Sequence, residues 1–111
     1  MAPTVWYHVR DLESARRFYR ETLLFGELEY DPQESWATAE RGGMEIGLAQ
    51  GEPSEEGVAH VEVDDLKAEA ERLRAAGVEV GIVVELGAEM RLLDVFDPDG
   101  NRLQFAQELR S

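Results

Sequence analysis

Residues 4–12, Thr-Val-Trp-Tyr-His-Val-Arg-Asp-Leu, match residues 58–66, Val-Ala-His-Val-Glu-Val-Asp-Asp-Leu, at a constant offset of 54. A 111-residue chain that opens the same way twice is built from two halves of similar size. In each copy an apolar set (Val5, Tyr7, Val9; Ala59, Val61, Val63) alternates with a mixed set, the period of a strand with one buried face. Each copy then reaches an Asp directly before a Leu. There a carboxylate can accept from the free N–H groups that open a helix.

Leu12, Ala15, Tyr19 and Leu23 recur at helical spacing and predict a helix from Leu12 to about Leu24. Leu66, Ala70 and Leu73 predict a second over 66–76, with Gly77 as its stop. Three strand candidates follow each helix: Glu27 to Asp31, Ser35 to Arg41 and Met44 to Ala49, then Glu79 to Val84, Glu89 to Phe96 and Arg102 to Gln107. Gly42-Gly43 closes the last hairpin of the first half. Asp97-Pro98-Asp99-Gly100-Asn101 closes that of the second, with Pro98 pre-setting the turn. Residues 50–57, rich in turn formers, link the halves. The reading is strand, helix, three strands, twice over: one domain spanning 1–111, with unit one at about 3–50 and unit two at about 57–108.

Composition narrows the chemistry. With no cysteine there is no disulfide framework, thiolate metal site or cysteine nucleophile. Eleven Lys and Arg stand against 24 Asp and Glu, a net charge of -13 that repels phosphate backbones and anionic lipid. Neither nucleic acid nor a membrane is therefore expected as a partner. Such an acidic surface either draws in a cationic ligand or simply faces water. No run of about 18 apolar residues and no signal-like start is present, so a cytoplasmic location is expected.

The duplicated βαβββ unit, the helix start Asp11-Leu12-Glu13-Ser14-Ala15-Arg16-Arg17-Phe18-Tyr19 and the Asp97–Asn101 turn with its strand resemble the vicinal oxygen chelate superfamily. That group includes glyoxalase I, bleomycin resistance proteins, fosfomycin resistance enzymes and extradiol dioxygenases. The resemblance covers nearly the whole chain. It implies an α+β fold in which the two units form a curved eight-stranded mixed sheet, with helices outside and ligand inside. It also implies a homodimer, with units pairing either within one chain or between two. One departure is Leu24-Phe25-Gly26, where the family usually has Leu-Gly-Phe.

Enzymes of that superfamily hold a divalent metal with one side chain from the first and last strands of each unit. Carried over, those positions are Thr4, Gly47, Val58 and Gln104, of which only Gln104 is an ordinary ligand. Divalent ions need about three or more imidazole, carboxylate or amide donors, so no metal and no cofactor are expected. A shifted set of His8, Glu45, His60 and Glu62 is the alternative, since all four share the predicted cavity face.

That face carries Trp6, His8, Trp36, Thr38, Glu45, His60, Glu62 and Gln104, read as ligand-binding residues. Two indoles offer flat stacking surfaces, and the carboxylates favour a cationic or aromatic small molecule. Each residue also has a structural reading, the indoles as packing and the histidines as hydrogen-bonded frame. His8 aligns with Glu62 under the offset; the pair reads either as a base with its orienter or as a structural hydrogen bond. No catalytic residue emerges. The expected function is a metal-independent small-molecule binding protein of the bleomycin resistance type, with a metal-dependent lyase, isomerase or dioxygenase as the alternative.

Overall fold

The computed structural model describes residues 3, 5–53 and 57–109. Unit one runs β1 (Val5–Val9), α1 (Leu12–Arg17), β2 (Gly26–Asp31), β3 (Trp36–Arg41) and β4 (Met44–Gln50). Unit two runs β5 (Ala59–Glu62), α2 (Leu66–Ala75), β6 (Glu79–Val80), β7 (Val84–Leu86), β8 (Met90–Phe96) and β9 (Arg102–Glu108). The duplicated α+β architecture is the one the repeat predicts. Backbone hydrogen bonds, however, group the strands as two mixed sheets rather than one continuous eight-stranded sheet. One sheet has the order β1-β4-β3-β2; the other has β5-β9-β8-β6, with β7 also on β8. The ninth strand arises because the segment expected at 79–84 is interrupted. Both β6 and β7 pair with β8, and only Gly81 bonds across the gap, to the Asp94 carbonyl.

Local chemistry repeats with the units. Asp11 accepts from the N–H groups of Glu13 and Ser14, and Asp65 from that of Ala68, as helix caps. A second device accompanies each cap. Gln50 Oε1, at the end of β4, accepts from Leu12 N, and Gln107 Oε1, near the end of β9, accepts from Leu66 N. In each unit the last strand thus fastens the start of its own helix.

The first helix departs from a regular α-helix after Arg17. Residues Phe18–Thr22 continue as a wider π-helix, with Leu23 N bonded to Phe18 O. It ends at Leu24, whose φ of 60° is a left-handed position that glycine normally fills. Leu23 and Phe25 on either side are buried while Leu24 is exposed. Leu23-Leu24-Phe25 therefore takes the place of the superfamily's Leu-Gly-Phe, and the departure is one of residue type and not of register. At Gly42, the tip of the β3–β4 hairpin, a side chain would run into the backbone of Glu62; this is the closest approach of one unit to the other at any glycine.

Both units share one apolar core. Tyr7, Val9, Tyr19, Leu23, Ile46 and Leu48 of unit one join Val61, Leu66, Leu73, Leu93, Leu103 and Phe105 of unit two. Polar bonds stitch the halves together within it. The buried Asp97 carboxylate accepts from Tyr19 Oη at 2.8 Å, from Asn101 Nδ2 at 3.0 Å, and from the Asp99 and Asn101 backbone N–H groups, each at 2.9 Å. Asn101 Nδ2 also donates to the His8 carbonyl. Tyr7 Oη donates to the Arg102 carbonyl and accepts from Ala59 N. Glu69 on α2 meets Arg41 of β3 and its own helix neighbour Arg72. Burial alone would raise its carboxyl pKa, but the two guanidiniums outweigh it and hold the value below the ordinary one.

Two expectations follow. Burial raises the Tyr7 hydroxyl to about 12 and the fully enclosed Tyr19 hydroxyl well above the ordinary value. Both phenols are neutral in the fold where the unfolded chain would ionise, so their contribution is complete below a pH of about 10; that of Tyr7 is lost as pH rises through about 12. The urea midpoint should fall progressively across that window. Tyr7→Phe should begin lower and decline less steeply. Asp97→Ala would orphan the Tyr19 hydroxyl and the Asn101 amide, costing about 3 kcal/mol or more, and should lower Tm by roughly 10 °C in a calorimetric scan.

Candidate functional site

Pairing register assigns every expected site residue to a face. In the first sheet one cross-strand row runs Trp6, Gly47, Thr38 and Glu29, and the next runs His8, Ala49, Trp36 and Asp31. The alternate rows, with Ile46 opposite Ala39 and Leu48 opposite Ala37, are buried in the core. Trp6, His8, Trp36, Thr38 and Glu45 therefore all lie on the side of the sheet away from the core, as the alternation predicts. In the second sheet His60 sits opposite Gln104 and Gln104 opposite Asp94, while Glu62 sits opposite Ala106.

Within the first sheet the indoles come together. Trp6 and Trp36 meet edge to face with ring centroids 6.2 Å apart, an arrangement favoured by the ring quadrupoles. What seats Trp6 is the absence of a side chain at Gly47. A methyl built there would overlap the indole ring. Trp6 nevertheless remains 37% exposed, whereas Thr38, in the same row, is only 3% exposed. Its hydroxyl is buried and has no hydrogen-bond partner.

The same contact settles whether a metal fits the superfamily's positions. In unit one the last-strand ligand position, Gly47, has no donor, and its side-chain space holds the Trp6 ring. In unit two Val58 offers only methyl groups, and Thr4 lies outside the described residues. Gln104 is engaged by Asp94, its Nε2 3.3 Å from Oδ1, and Arg102 approaches the other oxygen of Asp94. These residues do not make a divalent site. Nor is the shifted set assembled: among the described residues no three His, Asp or Glu side chains are grouped to hold a metal ion.

The His8–Glu62 pairing fails for a geometric reason. The His8 ring packs against Gly51, just past the end of β4, whereas the Glu62 backbone lies against Gly42, just before its start. At about 3.3 Å per residue along that strand the two are roughly 20 Å apart. The offset symmetry relates them in sequence without making them neighbours.

The sequence left Asp94 and Arg102 unremarked and read Gly47 only as a ligand position without a donor. Asp94 was recoverable in principle, since Leu93 and Val95 are buried and the residue between them must face the other way. Gly47 was not, because its role depends on which residue the next strand sets beside it. None of the eight expected residues lines either of two surface clefts of about 450 and 390 Å³. The first is bounded by Phe18, Val78, Phe96 and the 97–100 turn, and the second by α2 with Ile82 and Val83. Trp6 is partly exposed and Trp36 is half-buried. Among the described residues no helix is long and apolar enough to cross a membrane.

Comparisons with known proteins agree with this geometry. A search among curated protein sequences finds no match. Among solved structures, TnmS3, an antibiotic binding protein from Streptomyces sp. CB03234, is 25% identical with a TM-score of 0.73, covering 97% of each chain. TioX from Micromonospora sp. ML1 is 19% identical with a TM-score of 0.78, covering 100% of this chain and 98% of that one. Lactoylglutathione lyase from Agrobacterium tumefaciens is 16% identical with a TM-score of 0.77, covering 96% and 92%. The last two likenesses speak to the fold alone, which serves proteins of different activity. The family model described as Glyoxalase/Bleomycin resistance protein/Dioxygenase superfamily matches residues 3–105. With its two strand–helix–strand units, a shared core and that match over nearly its whole length, the chain belongs to the Glyoxalase/Bleomycin resistance protein/Dioxygenase superfamily.

Proposed function

We propose that the chain is a metal-independent binding protein that sequesters a planar aromatic cation against the Trp6–Trp36 face. The observation that carries this reading is the seating of Trp6 on Gly47, at an angle to Trp36, on the side of the sheet turned away from the core. Two indoles held edge to face present one ring plane and one ring edge, a corner into which a flat ligand can stack. The net charge of -13, with Glu45 and Glu62 on the outward faces, adds attraction for a cation. TnmS3, alike in fold and 25% identical, is an antibiotic binding protein, which supports the same class of activity here.

His8, Thr38, Glu45, His60, Glu62 and Gln104 belong to this proposal as the polar surround of the indoles. A second copy of the chain is the proposed partner that completes the site, giving a homodimer in the cytoplasm. The metal-dependent lyase, isomerase or dioxygenase reading has no donor set to stand on: Gly47 and Val58 supply none, and the described residues gather no cluster of three.

Tryptophan fluorescence tests the binding reading directly. Titration with 9-aminoacridine should quench emission saturably, and more weakly at high salt, as expected where carboxylates contribute. Trp6→Ala should weaken binding about tenfold or more, the loss of one good stacking surface. Gly47→Ala should displace the indole, shift the free protein's emission to the red and reduce binding by a similar factor. Protein prepared without chelator should contain no stoichiometric divalent ion by elemental analysis. About one tightly held ion per chain would overturn the proposal.

A further inference from the structure

Thr38 presents a contradiction that the aromatic corner alone does not resolve. It lies in the centre of the candidate face, directly opposite Gly47 on β4 and Glu29 on β2, and two residues from Trp36 along β3. Its side chain is almost wholly covered, yet its hydroxyl bonds to nothing. A buried hydroxyl without a partner is destabilising, and a methyl of the same shape would serve the packing better. Threonine is therefore the wrong residue here if the face exists only to be filled.

The surrounding register shows why no internal partner is available. Gly47 brings no side chain at all. Trp6 and Trp36 present indole rings, whose faces are apolar. Glu29, opposite on β2, is exposed and leaves the hydroxyl unbonded. Glu40, the next outward residue on β3, already accepts from Gly43 N at 2.8 Å. The backbone groups of β3 and β4 at this point are engaged in their antiparallel ladder. The polar group is thus buried beside Gly47, across which lies a Trp6 indole that is itself over one-third exposed.

From this we infer that the Thr38 hydroxyl is the polar recognition point of the aromatic face, satisfied only when a ligand enters between the two indoles, its hydrogen-bonding edge group taking the space over Gly47 while the Trp6 ring tilts to stack on its outer side. The inference rests on the binding function proposed above and sharpens its ligand class. The ligand is a planar aromatic cation with an N–H at its ring edge, stacked on Trp36 and donating to Thr38 Oγ1. A buried hydroxyl without a partner costs stability in the free chain and returns it as selectivity in the complex. Ligands without an edge donor would leave it unsatisfied, as the free protein does.

Two cationic dyes of nearly the same size separate the hydroxyl's role from stacking: 9-aminoacridine, which carries N–H groups at its edge, and 10-methylacridinium, which carries none. Wild-type protein should bind the first about five- to tenfold more tightly. Thr38→Val should abolish that preference by weakening 9-aminoacridine alone, and Thr38→Ser should retain it. In ligand-free protein Thr38→Val should raise Tm by about 3–6 °C, because it removes an unpaired buried hydroxyl without changing shape. A lower Tm for Thr38→Val, or equal weakening of both dyes, overturns the assignment of the hydroxyl and leaves the binding function standing. Failure of the wild-type protein to bind either dye at about 1 mM removes the binding function and this inference with it.

Discussion

The buried Asp97 carboxylate is the point on which the two halves depend. It belongs to a turn in the last hairpin, yet it accepts from Tyr19 on the first helical segment and from Asn101, which in turn holds the His8 carbonyl of the first strand. A carboxylate at 4% exposure is tolerable only with its oxygens fully engaged, and the four donors around Asp97 achieve that. Because those donors come from both units, the turn cannot form its complete network unless the halves are docked. Tyr7 extends the same logic, its hydroxyl spanning Ala59 N and the Arg102 carbonyl.

Docking in this way turns the apolar faces of both sheets and both helices into one core and turns the remaining faces outward. The outward face of the first sheet is organised by an omission. Gly47 has no side chain, so the Trp6 ring settles across it and meets Trp36. The position that could have carried a metal ligand carries an aromatic surface in its place. One residue type at one position thus links the absent side-chain donor at that position to the placing of the indole.

Much of this was legible in the sequence. The repeat at offset 54 gave the two units, Asp11 and Asp65 marked the helix starts, and strict alternation placed Trp6, His8, Trp36, Thr38, Glu45 and Gln104 on outward faces where the register puts them. Other features depended on contacts between distant residues. The interruption between β6 and β7 and the π-helical turn at Phe18–Thr22 did not follow from the apolar periodicity of those segments. The His8–Glu62 pairing looked natural because the offset aligns them, but internal symmetry of sequence does not imply adjacency across a twofold axis.

What the sequence determined by itself was the set of elements and the side each residue takes, because those follow from period-two and period-3.6 patterns within short segments. It also showed that of Thr4, Gly47, Val58 and Gln104 only Gln104 is an ordinary metal ligand, which needs only residue identities. The tertiary structure alone decided which outward residues are neighbours: Trp6 over Gly47, Thr38 sealed without a partner, Gln104 held by Asp94, and His8 far from Glu62. The physical reason is that adjacency between strands depends on register and on docking of the two sheets. Those are set by the summed burial of the shared core and by the Asp97 and Tyr7 bonds that cross it, and not by any one stretch of chain.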